Sequence, residues 1–178
     1  MNDTAYLAHA AEHFRMIRRR PERALAQVGD DRFFVKLDPE SNSLALIVKH
    51  VAGNLRSRWT DFLTTDGEKP DRHRDGEFES EQADTRASLM ARWDAGWATL
   101  HATLASLGPD DLARNVTIRS EPISVFDAIE RQKEHYAFHA GQIVFLAKHL
   151  AGPGWTTLSV ARGRSDAFEA EMRARRKA

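Results

Sequence analysis

The stretch that decides the fold runs from Ser124 to Leu150, SVFDAIERQKEHYAFHAGQIVFLAKHL. Its apolar residues, Ile129, Ile143 and Leu146 among them, are compatible with one face of a helix, and no proline interrupts the run. The pattern therefore predicts a long helix. Two histidines, His135 and His139, are four residues apart within it, which places them one turn apart on one face. Their imidazoles can converge on a single metal ion.

Three further helical patterns precede this helix. Apolar residues recur at helical spacing, and segments containing glycine or proline separate the patterns. The patterns cover Asp3 to Val28, a stretch capped by Ser41 or Ser43 that runs to about Thr64, and Asp84 to Leu107. Four long helices joined by polar segments predict an all-α protein, a four-helix bundle over residues 3–150.

Two smaller elements are predicted outside the four helices. Val116 and Ile118 alternate with polar residues, so the stretch from Asn115 to Ile123 predicts a minor β-hairpin. The C-terminal extension, 151–178, contains a short helical pattern from about Ser165 to Lys177. A chain of 178 residues is expected to form a single domain, 1–178.

Composition excludes several classes of function. Lys+Arg and Asp+Glu number 26 each, which gives no reason to expect nucleic acid or an acidic membrane surface as a partner. No apolar run is long enough to cross a membrane, and the N-terminal residues do not form a secretory signal, so we expect a cytoplasmic protein. The chain has no cysteine, which excludes disulfides, thiolate zinc sites and a cysteine nucleophile.

A third histidine, His50, lies in the second helical pattern beside Val51, on the shoulder of the apolar stripe. A polar side chain there is expected to face the bundle interior, where it is costly unless it is paired or bound to a metal. His50, His135 and His139 are therefore the candidate metal ligands. Three imidazoles would leave a coordination position for water or substrate, as in catalytic rather than structural metal sites.

Alternatives to this assignment remain. The same three histidines are compatible with a metal-free bundle in which they form hydrogen bonds to backbone or carboxylate groups. A second pair at the same spacing, His9 and His13, lies in the first turns of the N-terminal helix and is interpreted as solvated surface. The other three histidines are not predicted to be ligands: His73, His101 and His149.

The segment from Thr64 to Gln82, TTDGEKPDRHRDGEFESEQ, is predicted to be a long, highly charged loop. A loop of this length is often functional. It is interpreted either as a lid over the mouth of the metal site or as a solvated connection. Arg56 and Arg58 follow His50 on the second helix, where they could bind an anionic substrate group or form surface salt bridges.

A histidine in the second helix, followed much later by HxxxH in the last bundle helix, resembles the DinB/YfiT-like superfamily. His50 to Pro70, Arg74 to Phe78 and Glu134 to Ile143 are similar to segments of an uncharacterised bacterial branch. The resemblance implies a four-helix bundle that binds a divalent transition metal, such as nickel, zinc or iron, through the three histidines. Characterised members of the superfamily include thiol-dependent transferases and isomerases, which use bacillithiol, mycothiol or glutathione, and amidohydrolase-like proteins.

The sequence and the resemblance together favour a metal-dependent enzyme that acts on a small molecule, such as a low-molecular-weight-thiol S-transferase. Any thiol must come from outside, since the chain has no cysteine. Alternatives are a metal-dependent hydrolase and a non-catalytic metal- or small-molecule-binding protein that forms a homodimer. No catalytic residue is assigned, because Glu134, the nearest candidate base, points about 100° away from His135 around the helix.

Overall fold

The computed structural model describes residues 2–176 of the chain, which contain six α-helices and two short strands joined by loops and 3₁₀ turns. The helices are α1 (Asp3–Leu25), α2 (Asp30–Phe33), α3 (Leu44–Trp59), α4 (Arg86–Ser106), α5 (Val125–Ala151) and α6 (Ser165–Arg175); the strands are β1 (Asn115–Ile118) and β2 (Glu121–Ser124). The strands form an antiparallel hairpin. The prediction of an all-α bundle with a minor hairpin and a short C-terminal helix is confirmed.

Hydrogen bonds from side chains explain where the long helices begin. The hydroxyl of Ser43 accepts from the backbone N–H of Leu46 at the start of α3. Ser124 does the same for Asp127 at the start of α5. Such caps satisfy backbone donors that have no partner within the helix. The choice between Ser41 and Ser43 is thereby decided in favour of Ser43.

The four long helices surround one aromatic core. α3 packs along α4, and α1 packs along α5. The side chains of Trp59, Trp93 and Trp97 are almost completely buried, as expected for core residues. The indole N–H of Trp59 donates to the hydroxyl of Tyr136, at 3.1 Å, and this hydroxyl donates to Oδ1 of Asn54, at 3.0 Å. This chain of hydrogen bonds joins α3 to α5 close to the three histidines.

The observed boundaries differ from the predicted ones in several places. α3 ends at Trp59 rather than near Thr64, and Asp61 then adopts a left-handed conformation, with φ 48°. The short helix α2 lies inside the segment predicted to be a break. Lys177, predicted to lie in the last helix, is outside the described residues. Within residues 2–176, no helix is both long enough and apolar enough to cross a membrane.

The turn of the hairpin is conformationally unusual. Arg119 and Ser120 both have positive φ, 58° and 64°, in a two-residue connection that normally favours glycine or asparagine. The carboxylate of Asp66 accepts from both backbone N–H groups, at 2.9 and 2.7 Å. These bonds offset a conformational cost of about 1–3 kcal/mol for each residue. The hairpin is thereby fixed against the loop that follows α3.

Replacement by alanine should have opposite effects on stability at two helical glycines. A Cβ on Gly96 of α4 would lie 2.7 Å from Cβ of Leu55, so the helices would have to separate. A Cβ on Gly141 of α5 would meet nothing within 4 Å. We expect Gly96→Ala to lower the free energy of unfolding by about 1–2 kcal/mol and Gly141→Ala to raise it by about 0.5–1 kcal/mol. Urea denaturation measures both; shifts of the same sign would contradict the packing described here.

Candidate metal centre

Three histidine rings from two helices converge on one point in the bundle. His50 comes from α3, and His135 and His139 come from successive turns of α5. Nε2 of His135 lies 3.4 Å from Nε2 of His50 and 3.2 Å from Nε2 of His139. Among residues 2–176, these are the only three histidine or acidic residues close enough together to hold one ion. The structure thus brings the three predicted ligands together.

The spacing of the nitrogens fits a first-row transition metal. With metal–nitrogen bonds of about 2.1 Å in tetrahedral geometry, two ligand atoms lie about 3.4 Å apart. The two observed separations, 3.2 and 3.4 Å, are close to this value. The donor set of three imidazoles suits zinc, nickel or iron. All three ring nitrogens lie within 4.8 Å of one another, close enough to share one ion.

The outward-facing nitrogen of His50 is held by a carboxylate. Nδ1 of His50 lies 2.9 Å from Oε2 of Glu77. Because an ionised carboxylate can only accept, the ring nitrogen donates. Arg72 in turn donates to both oxygens of Glu77, each at 2.8 Å. The result is a buried chain of contacts that leads from a guanidinium through a carboxylate to the imidazole.

His139 has an equivalent partner on its own helix. Nδ1 of His139 lies 2.7 Å from Oε1 of Gln142, an acceptor, so this nitrogen also carries the proton. A neutral imidazole that carries its proton on Nδ1 presents a bare lone pair on Nε2, and Nε2 of both His50 and His139 lies next to Nε2 of His135. One proton on Nε2 of His135 could satisfy only one of them. A cation at the centre would satisfy all three nitrogens, which supports the fit of a metal to this site.

The protonation of the site favours metal binding. Burial, reinforced by the neighbouring His139 and His50, lowers the pKa of His135 to about 3. Burial also lowers the pKa of His139, although Gln142 partly offsets it. Burial raises the pKa of the Glu77 carboxyl, but hydrogen bonds from His50 and Arg72 outweigh this and lower it overall. At neutral pH the two α5 imidazoles are therefore neutral, as metal coordination requires, and the Glu77 carboxylate is charged.

The middle of the charged loop lies over His50, although many of its other residues are exposed. Its middle forms a 3₁₀ turn, Asp75–Phe78, and the ring of Phe78 stacks on His50 with centroids 4.7 Å apart. Glu77 can reach His50 because position 53 on α3 is glycine: a Cβ there would lie 2.2 Å from the Glu77 carboxylate. Of the two interpretations of the loop, a cover over the histidines is the one that agrees with the position of the turn Asp75–Phe78.

Contacts to α3 hold both ends of the loop. At the first end, the hydroxyl of Ser57 donates to the carbonyl of Gly67, at 2.7 Å, and accepts from the backbone N–H of Lys69, at 3.1 Å. At the second end, the ammonium of Lys49 donates to the side chains of Glu81 and Asp84, each at 2.8 Å. The loop is therefore fastened on both sides of the turn that carries Glu77.

The other sequence-based candidates lie elsewhere or take different roles. Arg56 is exposed and pairs with Asp71, as expected of a surface salt bridge. Glu134 is exposed, in agreement with its predicted direction away from His135. Gln132, which lies three residues before His135, is buried, but its Oε1 has no hydrogen-bond partner within residues 2–176. Arg58, in contrast, is buried near the site.

A small cavity of about 130 Å³ opens beside His50 and His135. The side chain of Asn54, held by Tyr136, forms part of its wall. Its charged lining residues are all arginines: Arg58, Arg72, Arg74, Arg119 and Arg131. A small molecule in this cavity would lie directly beside the histidine cluster.

Comparison with known proteins assigns the chain to a family. A family model described as "Protein of unknown function (DUF1572)" matches residues 2–164, so the chain belongs to this family. The fold is similar to the crystal structure of a DinB-like protein, YjoA, from Bacillus subtilis, with a TM-score of 0.64 at 17% identity; the match covers 85% of this chain and 96% of that chain. The predicted DinB/YfiT-like fold is confirmed. No curated protein matches the chain.

The chain of contacts from Arg72 to His50 predicts that Glu77→Gln strongly lowers the stability of the protein. The substitution leaves the buried Arg72 without its principal counter-charge, although Glu68 still accepts from it at 3.1 Å. We expect the free energy of unfolding to fall by about 2–3 kcal/mol. Glu79→Gln, an exposed change two residues away, is the matched control and should cost less than about 0.5 kcal/mol. Equal urea midpoints for the two variants would contradict the assigned role of Glu77.

Proposed function

We propose that this DinB-like member of the DUF1572 family is a divalent-metal-dependent enzyme, with low-molecular-weight-thiol S-transfer as the favoured reaction. His50, His135 and His139 are the proposed ligands of nickel, zinc or iron. One observation carries the proposal: three imidazole nitrogens converge beside a cavity, with no fourth side-chain ligand from the described residues. A protein ligand set that leaves a position free is characteristic of catalytic metal sites.

The residues around the cluster prepare it for such chemistry. A bound divalent ion would supply a Lewis acid that lowers the pKa of a thiol or a water molecule beside it. Glu77 and Gln142 hold the rings of His50 and His139 in the orientation that an ion requires. Phe78 covers one side of His50 and restricts the access of water to that ring.

The lining of the cavity favours a thiol over water as the nucleophile. Hydrolysis at a metal ion is helped by a side-chain base that takes a proton from the water. Among the described residues that line the cavity there is no carboxylate, and Glu77, just behind it, already bonds to His50 and Arg72. Arginines near a thiol lower its pKa and stabilise the thiolate. We therefore rank transfer above the hydrolase alternative.

Two expectations about the protein in the cell stay predictions: a cytoplasmic location and a homodimer. Phe138 and Phe145 of α5 are 63% and 74% exposed, and they provide the kind of apolar helix face that a dimer of this chain would use. The small-molecule substrate is likewise part of the proposal. Size-exclusion chromatography with light scattering measures the oligomeric state directly.

The metal assignment predicts one divalent ion per chain. We expect elemental analysis of protein purified without a histidine tag to find this stoichiometry, and His139→Ala to weaken zinc affinity more than about 100-fold, beyond the effect typical of outer partners. Competition with a chromophoric chelator measures the affinity. His149→Ala, an exposed histidine on the same helix, is the matched control. Unchanged affinity in His139→Ala would refute the ligand set.

The transferase assignment predicts a spectroscopic response to an external thiol. Nickel-loaded protein, titrated in turn with glutathione, bacillithiol and mycothiol, should develop charge-transfer absorption with at least one of them, because a thiol sulfur would enter the free coordination position. Turnover with an electrophile such as a halonitroarene should follow with that thiol. The serine analogue of glutathione, which lacks the sulfur, is the control for glutathione. A metal-loaded protein that responds to none of the three thiols would eliminate the transferase reaction.

A further inference from the structure

The cavity beside the three histidines has an unusual charge pattern. Among the described residues that line it there is no carboxylate. Five of them are arginines: Arg58, Arg72, Arg74, Arg119 and Arg131. They come from separate parts of the fold, namely α3, the charged loop (64–82), the hairpin turn and α5. The chain as a whole has no net charge. The concentration of positive charge at this one place therefore does not follow from composition.

Two of the five guanidinium groups are buried and held by hydrogen bonds. The side chains of Arg58 and Arg72 are 6% and 2% exposed. The carboxylate of Glu68 bridges them, since one oxygen accepts from Arg58 and the other from Arg72, each at 3.1 Å. Arg58 also donates to the carbonyl of Gly67. Guanidinium groups fixed in this way lose little conformational freedom when a ligand binds.

A third arginine is brought to the cavity by the strained turn. Nε of Arg119 donates to Glu68 at 3.0 Å, so one carboxylate is shared by three arginines. The left-handed backbone at Arg119 and Ser120 is held by Asp66. The turn therefore keeps Arg119 at the edge of the cavity. Nearby carboxylates provide too little negative charge to neutralise the group.

The charge balance leaves positive charge for a ligand. The five guanidinium groups meet three carboxylates within 4 Å, those of Glu68, Glu77 and Asp75. The carboxylate of Asp66 at the hairpin turn is a fourth nearby, so one positive charge remains. Arg131, unlike the other four, takes part in none of the ion pairs within residues 2–176. The buried Nε of Arg58 likewise has no hydrogen-bond partner there. A buried donor without a partner is costly, and a nearby anion would lower that cost by electrostatic attraction to the same guanidinium.

We propose that this cavity is an anion subsite, in which the arginines bind the carboxylate or phosphate group of a small-molecule substrate. The planar fork of an arginine matches both groups through paired hydrogen bonds. The volume of about 130 Å³ corresponds to about four water molecules, which suits a single anionic group rather than a whole cofactor. The remainder of the substrate would then lie at the histidine cluster. This last step rests on the proposed function; the anion subsite itself does not.

Calorimetric titration with simple probes tests the subsite. We expect metal-free protein to bind succinate or inorganic phosphate, and to bind succinamide, the neutral analogue of succinate, at least tenfold more weakly than succinate. Arg119→Ala/Arg131→Ala removes two exposed side chains and should weaken anion binding about tenfold while the fold is retained. The stronger of the two anions identifies the source of the anionic group, a carboxylic acid or a phosphate ester.

The matched control removes the same charge elsewhere. Arg19→Ala/Arg20→Ala takes two exposed arginines from α1, outside the cavity, and should leave anion affinity within about twofold, since distant surface charges are screened by salt. An equal loss of affinity in both double variants would show a general charge effect and overturn the proposal. Failure of both anions to bind, or equal binding of succinamide and succinate, would also overturn it.

The anion subsite and the metal-dependent function fail in different ways. Glu68 and Asp66, not a metal, hold the arginines, so the anions should bind with or without one equivalent of zinc. If the protein bound no zinc but retained the anion response, the proposed function would fail and the subsite would stand. If zinc bound with full stoichiometry and neither anion bound, the subsite would fail and the metal centre would stand.

Discussion

The carboxylate of Glu77 lies between the buried guanidinium of Arg72 and the ring of His50, and the geometry of the histidine cluster depends on this contact. It makes Nδ1 of His50 the donor, so that Nε2 is free to face the other two histidines. The carboxylate can occupy this place only because residue 53 lacks a side chain. A helix, a glycine and a loop residue thus jointly orient one of the proposed ligands.

Arg72 connects the two halves of the site. On one side it donates to Glu77, which orients His50; on the other it donates to Glu68, which also holds Arg58 and Arg119 at the cavity. The charged loop, residues 64–82, therefore has two roles: it orients His50 and it holds the arginines of the cavity. Both roles depend on the buried charge of Arg72. A change at position 72 would alter both the orientation of the histidine and the field in the cavity. This coupling explains why Arg72 and Glu77 are buried within a segment that is otherwise largely exposed.

The sequence predicted the helices and the meeting of the histidines because both depend on local periodicity. His135 and His139 are neighbours on any helix, and the apolar stripe around His50 indicates its inward direction. The role of Glu77 could not be predicted in this way, because the contact joins a loop to a residue 27 positions earlier. The same applies to Arg58: charged residues are usually exposed, and only its tertiary partners account for its burial.

The arginine-lined cavity also bears on the choice of nucleophile. A thiol has an ordinary pKa of about 8.5, so part of it is ionised in water at neutral pH and can arrive as the thiolate. A water molecule has a far higher pKa and would have to be ionised at the site by a bound ion, without the help of a carboxylate among the described residues that line the cavity. Surplus positive charge stabilises an anion that enters, yet it accepts no proton. The electrostatics therefore favour a nucleophile that is ionised before it binds, and Arg58 and Arg72 can bind its acidic groups while the histidines face its reactive atom.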